Sequence, residues 1–167
     1  MNRAMNLLIW RHAEAEDGLP DLERPLTPRG RRQAKAVAPW IDRNFPKDGR
    51  ILVSPALRTR QTADALGRAY DIEPGIAPGT AYDRVLDAIG LPACVPAKEE
   101  GSLLVVGHQP WVGQVLRLLL TGQRRNWSVR KAAVWWLTYR EGDEDGEEGS
   151  GEWVLRAVTD PGFVEKS

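Results

Sequence analysis

Apolar and polar positions divide the chain into short continuous apolar runs and longer segments with helical periodicity. The apolar runs predict six strands, at 6–10, 50–54, 73–78, 102–107, 132–140 and 152–158. A continuous run such as 102–107 is typical of a strand that is buried on both faces of a parallel sheet. The last two runs flank the acidic, Gly-rich segment 141–151, so we expect a hairpin joined by a mobile turn.

The segments between these runs predict helices. The first helix begins at Pro28, and three more cover 56–69, 80–91 and 110–121. In the first helix, Thr27 suits the N-cap and Pro28 the first helical position. Apolar residues then recur at helical spacing over 34–41. Pro39 lies inside this repeat and predicts a kink or an interruption, at a cost of about 3 kcal/mol in a regular helix. Gly122 is expected to end the last helix.

Strands and helices alternate along the chain until the final pair of strands. This order predicts an α/β fold, a three-layer α/β/α sandwich with a mostly parallel central sheet. The length of 167 residues suits one domain covering 1–167, and no internal repeat is visible. In such sheets, ligands bind beyond the carboxyl ends of the strands.

Composition narrows the classes of partner. Lys and Arg together number 23, as do Asp and Glu, so the net charge of zero argues against a nucleic-acid or membrane-surface partner. The single cysteine, Cys94, excludes an internal disulfide and favours a reducing compartment. The first apolar run, 7–10, is far too short for a signal peptide or a membrane span. We therefore expect a soluble, cytoplasmic protein, and its oligomeric state stays open.

The only two histidines, His12 and His108, each directly follow a predicted strand. Arg11 also lies at a strand end, and the turn at 54–55 leads from another strand to Arg58. Because ligand sites form at the carboxyl ends of parallel strands, these four side chains are expected to converge at one edge of the sheet.

Two arginines and two histidines around a cleft would suit a phosphoryl dianion. Arginine donates paired hydrogen bonds to phosphate, one histidine could attack phosphorus, and the other could donate to an oxygen. Neighbouring cations would lower the pKa of the nucleophile below about 6.5 and keep it neutral. N–H groups at the start of the helix after Pro110 would add anion affinity. A strand-end histidine is more commonly structural, so these residues alone leave the catalytic and structural interpretations equally open.

Four blocks of the sequence resemble the motifs of a known protein family. They are Leu-Ile-Trp-Arg-His-Ala at 8–13, Leu-Thr-Pro-Arg-Gly at 26–30 with Gln-Ala at 33–34, Ser-Pro-Ala-Leu-Arg-Thr-Arg-Gln-Thr-Ala at 54–63, and Val-Val-Gly-His-Gln-Pro at 105–110. In this order they resemble the histidine phosphatase superfamily, which has the phosphoglycerate-mutase-like fold. The blocks span most of the chain, so the resemblance implies this fold for the whole domain.

The resemblance implies a role for each matching residue. His12 would be the phosphorylated nucleophile, and phosphoryl oxygens would be held by Arg11, Arg58, His108 and Gln109. It implies neither a metal nor an organic cofactor. Ala13 replaces the usual glycine and is followed by an acid, which resembles the SixA-type branch that acts on phosphohistidine of signalling proteins. The implied partner is therefore a histidine-phosphorylated signalling or carrier protein, or else a small phosphorylated substrate.

The proton donor is the unassigned part of this prediction. Candidates are Asp83, Glu14 and Glu16, with Asp87 and Asp17 as further acids nearby. None of them belongs to a motif. A weakly assigned acid favours phosphohistidine, because imidazole is a better leaving group than an alkoxide. The alternative is a small-molecule phosphomonoesterase of the same fold, acting on sugar or nucleotide phosphates. A non-catalytic module that binds phosphorylated ligands and a mutase are more remote.

Trp111, next to this site, is expected either in the core or at the cleft mouth.

Overall fold

The computed structural model describes residues 5–96, 101–142 and 151–164. The strands are β1 (Met5–Arg11), β2 (Arg50–Val53), β3 (Asp71–Ile72), β4 (Leu103–Gly107), β5 (Val134–Glu141) and β6 (Gly151–Thr159). The helices are α1 (Pro28–Asn44), α2 (Leu57–Asp64), α3 (Tyr82–Ala88), α4 (Trp111–Thr121) and α5 (Pro161–Val164), with 3₁₀ turns at Asp21–Glu23, Pro74–Ile76 and Pro92–Cys94. Most of the turn predicted at 141–151 lies outside the described residues.

The six strands form one sheet in the order β3-β2-β4-β1-β5-β6. The pairs β2–β3, β2–β4 and β1–β4 are parallel, whereas β5 runs antiparallel to both β1 and β6. Helices α3 and α4 cover one face, α1 and α2 cover the other, and α5 lies beside α1. The predicted three-layer sandwich with a mostly parallel sheet and a terminal hairpin is confirmed.

The central strand β1 shows why its run is apolar throughout. Leu7 and Ile9 pack into the core under α3 and α4, whereas Leu8 and Trp10 pack into the core under α1 and α2. All four side chains are completely buried. Because alternate side chains of a strand point to opposite faces, a strand covered on both sides needs an apolar residue at every position.

Helix caps follow the predictions more closely than helix lengths do. Thr27 accepts a hydrogen bond from the Gly30 N–H at 2.9 Å, and Gly122 ends α4 in the left-handed conformation, with φ of 73°. The helices predicted over 56–69 and 80–91 were too long, since they end at Asp64 and Ala88. The chain instead turns at glycines with positive φ two or three residues beyond each end.

Two other expectations were wrong in whole or in part. The strand predicted at 73–78 is a two-residue strand at Asp71–Ile72 followed by a 3₁₀ turn. Pro74 has no N–H for a ladder, and the Glu73 carboxylate accepts the Gly75 N–H instead. The prediction at Pro39 was a kink or an interruption, and of these two the interruption does not occur, since the helix continues through Pro39. Pro39 is exposed, so water can satisfy the carbonyl that loses its helical donor.

We expect Gly107→Ala to destabilise the fold. A Cβ at Gly107 would overlap the indole ring of the completely buried Trp111. Overpacking of this kind costs about 1–3 kcal/mol. Urea denaturation measures the effect, and Gly101→Ala is the control because its Cβ would enter open space. Equal unfolding free energies for the two variants would contradict the packing described.

Candidate active site

Pairing between β1 and β4 places the Arg11-His12 pair beside His108. Arg11 is the register partner of Gly107, and the His12 N–H donates to the Gly107 carbonyl at 3.0 Å. On its other side, the His12 carbonyl accepts the Ala132 N–H at 3.1 Å. The backbone of His12 is therefore held from both neighbouring segments, and the two imidazole rings lie with centroids 5.2 Å apart.

The His12 ring is held in one tautomer. Its Nδ1 lies 2.7 Å from the Ala13 carbonyl, which can only accept, so Nδ1 carries the proton and Nε2 keeps its lone pair. Burial is the largest cause that lowers the pKa of His12 from 6.5 to about 4. The charges of Arg58, Arg11 and Arg24 act in the same direction, as the sequence predicted for the first two. Nε2 is thus unprotonated at neutral pH and keeps its lone pair free.

His108 is buried against Ser54. Its Nε2 lies 2.6 Å from the Ser54 hydroxyl, which also accepts the Ala56 N–H at 3.4 Å. We infer that the hydroxyl donates to Nε2, so that Nδ1 carries the His108 proton. That Nδ1 has no hydrogen-bond partner within the part of the chain described. Burial, followed by the charges of His12 and Arg58, lowers the pKa of His108 to about 2 and keeps the ring neutral.

The arginines are anchored by their terminal nitrogens. Arg58, 4% exposed, donates to the Asp21 carbonyl at 2.8 Å and to its carboxylate at 3.1 Å. The same carboxylate accepts from Arg24 Nε at 3.1 Å, so one acid joins two arginines. Arg11 donates to the Val129 carbonyl at 2.7 Å. Desolvation would raise the pKa of Asp21, but the hydrogen bonds and charges of Arg58 and Arg24 lower it and keep the carboxylate ionised.

These side chains line one cleft of about 270 Å³. Its walls are formed by the four predicted residues, by Gln109, and by Ala15, Asp17, Arg24, Pro78 and Lys131. Arg11 Nε, Arg58 Nε and His108 Nδ1 are buried polar nitrogens without a hydrogen-bond partner among residues 5–96, 101–142 and 151–164. All three belong to side chains predicted to hold phosphoryl oxygens. Buried donors left in this way are suited to a bound anion.

Three observations describe the surroundings of His108. Gln109 lines the cleft, but its amide donates to the Trp127 carbonyl at 2.7 Å and accepts the Gly113 N–H at 2.7 Å, so it mainly caps α4. The N–H groups of residues 112–114 bond within this turn, so they are not available to an anion. Trp111 is a core residue, completely buried, with its ring centroid 6.4 Å from that of His108.

The acidic candidates divide by position. Asp83 accepts from the next backbone N–H at the exposed start of α3, and neither it nor Asp87 lines the cleft. Glu14 accepts from the Thr27 hydroxyl at 3.0 Å and faces a neighbouring cleft, and Glu16 also lies outside the catalytic cleft. Of the acids considered in the sequence, Asp17 is the one that lines the cleft.

Sequence reasoning missed two cations of the cleft, Arg24 and Lys131. Arg24 stands two residues before the block at 26–30, and this position is a signal that could have found it. Lys131 has no such signal, because it reaches the cleft through the pairing of Ala132 with His12.

Two kinds of feature are absent from the described residues. Within that part of the chain, no helix is both long and apolar enough to cross a bilayer. The same residues contain no group of three or more His, Cys, Asp or Glu side chains placed to hold a metal ion.

Known proteins are similar to this chain in sequence. A model of the histidine phosphatase superfamily, branch 1, matches residues 7–81. A Haemophilus influenzae protein named phosphohistidine phosphatase SixA homolog is 32% identical over 146 residues, which are 78% of this chain and 85% of that protein. The chain belongs to the histidine phosphatase superfamily. The resemblance to this superfamily and to its SixA-like branch is thereby confirmed.

Other superfamily relatives define the fold and the extent of the match. The structure of the protein histidine phosphatase SixA complexed with tungstate superposes with a TM-score of 0.71 at 24% identity, covering 94% of this chain and 97% of that one. The phosphoglycerate-mutase-like fold is therefore confirmed. A Mycobacterium tuberculosis protein is 37% identical over 107 residues, which are 60% of this chain and 63% of its own length.

We expect Arg58→Lys to weaken oxyanion binding in this superfamily member. Lysine lacks the planar fork that lets Arg58 contact Asp21 while leaving Nε free. A hydrogen bond to a charged group contributes about 1.5–3 kcal/mol, so the Kd for inorganic phosphate, used as a probe anion, should rise at least about tenfold. Calorimetric titration measures it. Arg68→Lys is the matched control, because Arg68 makes a similar forked contact with Asp42 away from the cleft. Equal Kd values in both variants would contradict this assignment.

The histidines also predict how stability depends on pH. Both have folded-state pKa values, about 4 and about 2, below the ordinary 6.5. The unfolded chain therefore binds more protons, and the free energy of unfolding should decrease as pH falls from 6.5 towards 4. Urea denaturation between pH 7 and 4.5 measures this slope. The double variant His12→Asn, His108→Asn should flatten it, and an unchanged slope would show that these rings do not cause it.

Proposed function

We propose that the chain is a phosphatase that passes a phosphoryl group through Nε2 of His12, with phosphohistidine on a protein as its substrate. The observation that carries this proposal is the cleft itself. It is lined by His12, whose Nε2 is unprotonated, and by Arg11, Arg58 and His108, each of which has a buried nitrogen with no partner among the described residues. The similarity to proteins named phosphohistidine phosphatase supports the choice of substrate.

The proposed reaction has two steps. In the first, the lone pair of His12 Nε2 forms a P–N bond while the P–N bond to the substrate histidine breaks. The electron pair of the broken bond stays on the departing nitrogen, and the proton already on the distal nitrogen makes the leaving imidazole neutral. In the second, water attacks the phosphorus on His12, which releases phosphate and returns the electron pair to Nε2. Arg11, Arg58 and the Nδ1–H of His108 hold the phosphoryl oxygens, because fixed donors stabilise the charge of the transferring group.

The choice of phosphohistidine as substrate follows from the lack of an oriented proton donor among the described residues of the cleft. Asp17 is exposed at the cleft and has no hydrogen-bonded partner that orients it among those recorded for the described residues. A phosphohistidine substrate can bring its own proton on the distal ring nitrogen, whereas an alkoxide leaving group needs one from the enzyme. The single cysteine fits the cytoplasm, where we place this activity.

A small-molecule phosphomonoesterase is the second candidate. One observation favours it, namely the presence of the Asp17 carboxylate in the cleft, where it could protonate an ester oxygen.

Trapping the phosphoenzyme tests the proposed nucleophile. The protein is incubated with a ³²P-labelled phosphoryl donor and quenched within milliseconds. We expect an acid-labile, base-stable label on the wild-type chain and on Asp17→Asn, and no label on His12→Ala. The Asp17→Asn variant is the control, because it changes the cleft without removing the nucleophile. Label that persists on His12→Ala would refute the mechanism.

A substrate panel separates the two candidates. We expect kcat/KM for a phosphohistidine peptide to exceed the values for sugar and nucleotide monoesters, and Asp17→Asn to change it less than twofold. General acid catalysis contributes about 10²–10⁴-fold, so the alternative predicts a large loss of monoester hydrolysis in this variant. Faster hydrolysis of monoesters, lost in Asp17→Asn, would replace the first candidate by the second.

A further inference from the structure

A second cleft of about 530 Å³ adjoins the catalytic one. Four cations line it, and we call them the basic annex: Arg29, Arg32, Arg130 and Lys131. Lys131 lines both clefts, so the annex lies next to the catalytic site. The first two cations come from the first turns of α1, and the other two lie just before Ala132, whose N–H bonds to the His12 carbonyl.

The annex carries an excess of positive charge. Two carboxylates face its four cations, those of Glu14 and Asp160. The ion pairs are long, 3.7 Å from Arg29 and 4.0 Å from Lys131 to Glu14, and 3.8 Å from Arg130 to Asp160. The Arg29 and Arg130 side chains are 70% and 83% exposed. Arg32 forms no recorded ion pair with the described residues. Since the whole chain has no net charge, this excess is local.

The annex is not needed for the phosphoryl group itself. That group fits the catalytic cleft, where Arg11, Arg24 and Arg58 already supply cations. The exposed guanidinium groups beside it can reach outwards to a surface that approaches the cleft. Exposed arginines in an open cleft suit carboxylates on a protein surface, because pairing of opposite charges steers encounter and sets orientation.

We propose that the basic annex binds acidic side chains next to the phosphohistidine of the protein substrate. This inference depends on the proposed function and adds to it the chemical character of the partner. The ion pairs between the annex and the substrate form at solvent-exposed side chains, so they should lower KM and weaken as salt is added. They should leave the transfer step at His12 unchanged.

The test compares a triple variant with a matched control. The variant is Arg29→Gln, Arg32→Gln, Arg130→Gln, which retains Lys131 because that residue also lines the catalytic cleft. The control is Arg84→Gln, Arg124→Gln, Arg125→Gln, which removes the same charge from exposed positions on α3 and after α4. The substrates are two phosphohistidine peptides that differ only in flanks rich in Asp and Glu or in Ser and Gln, together with phosphoimidazole.

We expect the triple variant to lower kcat/KM for the acidic peptide by about tenfold, through KM, with less than a twofold change for the neutral peptide and for phosphoimidazole. The control should behave as wild type. Salt should weaken the preference of the wild type for the acidic peptide.

Three results would overturn the inference: no loss on the acidic peptide, equal losses on both peptides, or the same loss in the control. Failure of the wild type to hydrolyse any phosphohistidine substrate would instead refute the proposed function, and the inference with it.

Discussion

The parallel pairing of β1 with β4 is the interaction on which the site depends. It aligns Arg11 with Gly107 and bonds the His12 N–H to the Gly107 carbonyl, so the residues that follow the two strands are brought together. The pairing is maintained by strands whose side chains are buried on both faces of the sheet. The two imidazole rings are thus positioned by the most buried part of the molecule, which is closely packed.

Burial and charge act together on these two imidazoles. Desolvation is the largest cause that lowers both pKa values, and the surrounding arginines act in the same direction. A neutral ring is therefore the stable form, at a cost in stability when the pH falls. Asp21 offsets part of the repulsion between Arg58 and Arg24 and ties the loop before α1 to α2. The cleft keeps its cations close together without protonating the nucleophile.

Positive charge extends from this cleft to the basic annex through Lys131. The two regions differ in their surroundings, since Arg58 is almost fully buried whereas Arg29 and Arg130 are exposed. Buried donors with few alternatives suit tight contact with a phosphoryl group, and exposed ones suit weaker contacts with a larger partner. This difference between buried and exposed arginines agrees with the proposed action on a phosphoryl group displayed on a protein surface.

The sequence by itself determined the alternation of strands and helices along the chain, the apolar core of β1 and β4, the caps of α1 and α4, and the convergence of Arg11, His12, Arg58 and His108 at one edge of the sheet. These depend on local pattern and on the rule that parallel strands end at one edge. Tertiary structure alone decided that Lys131 and Arg24 join the cleft, that Gln109 mainly caps α4, and that Asp17 rather than Asp83 or Glu14 lines it. Their neighbours come from distant parts of the chain, so no local pattern records those contacts.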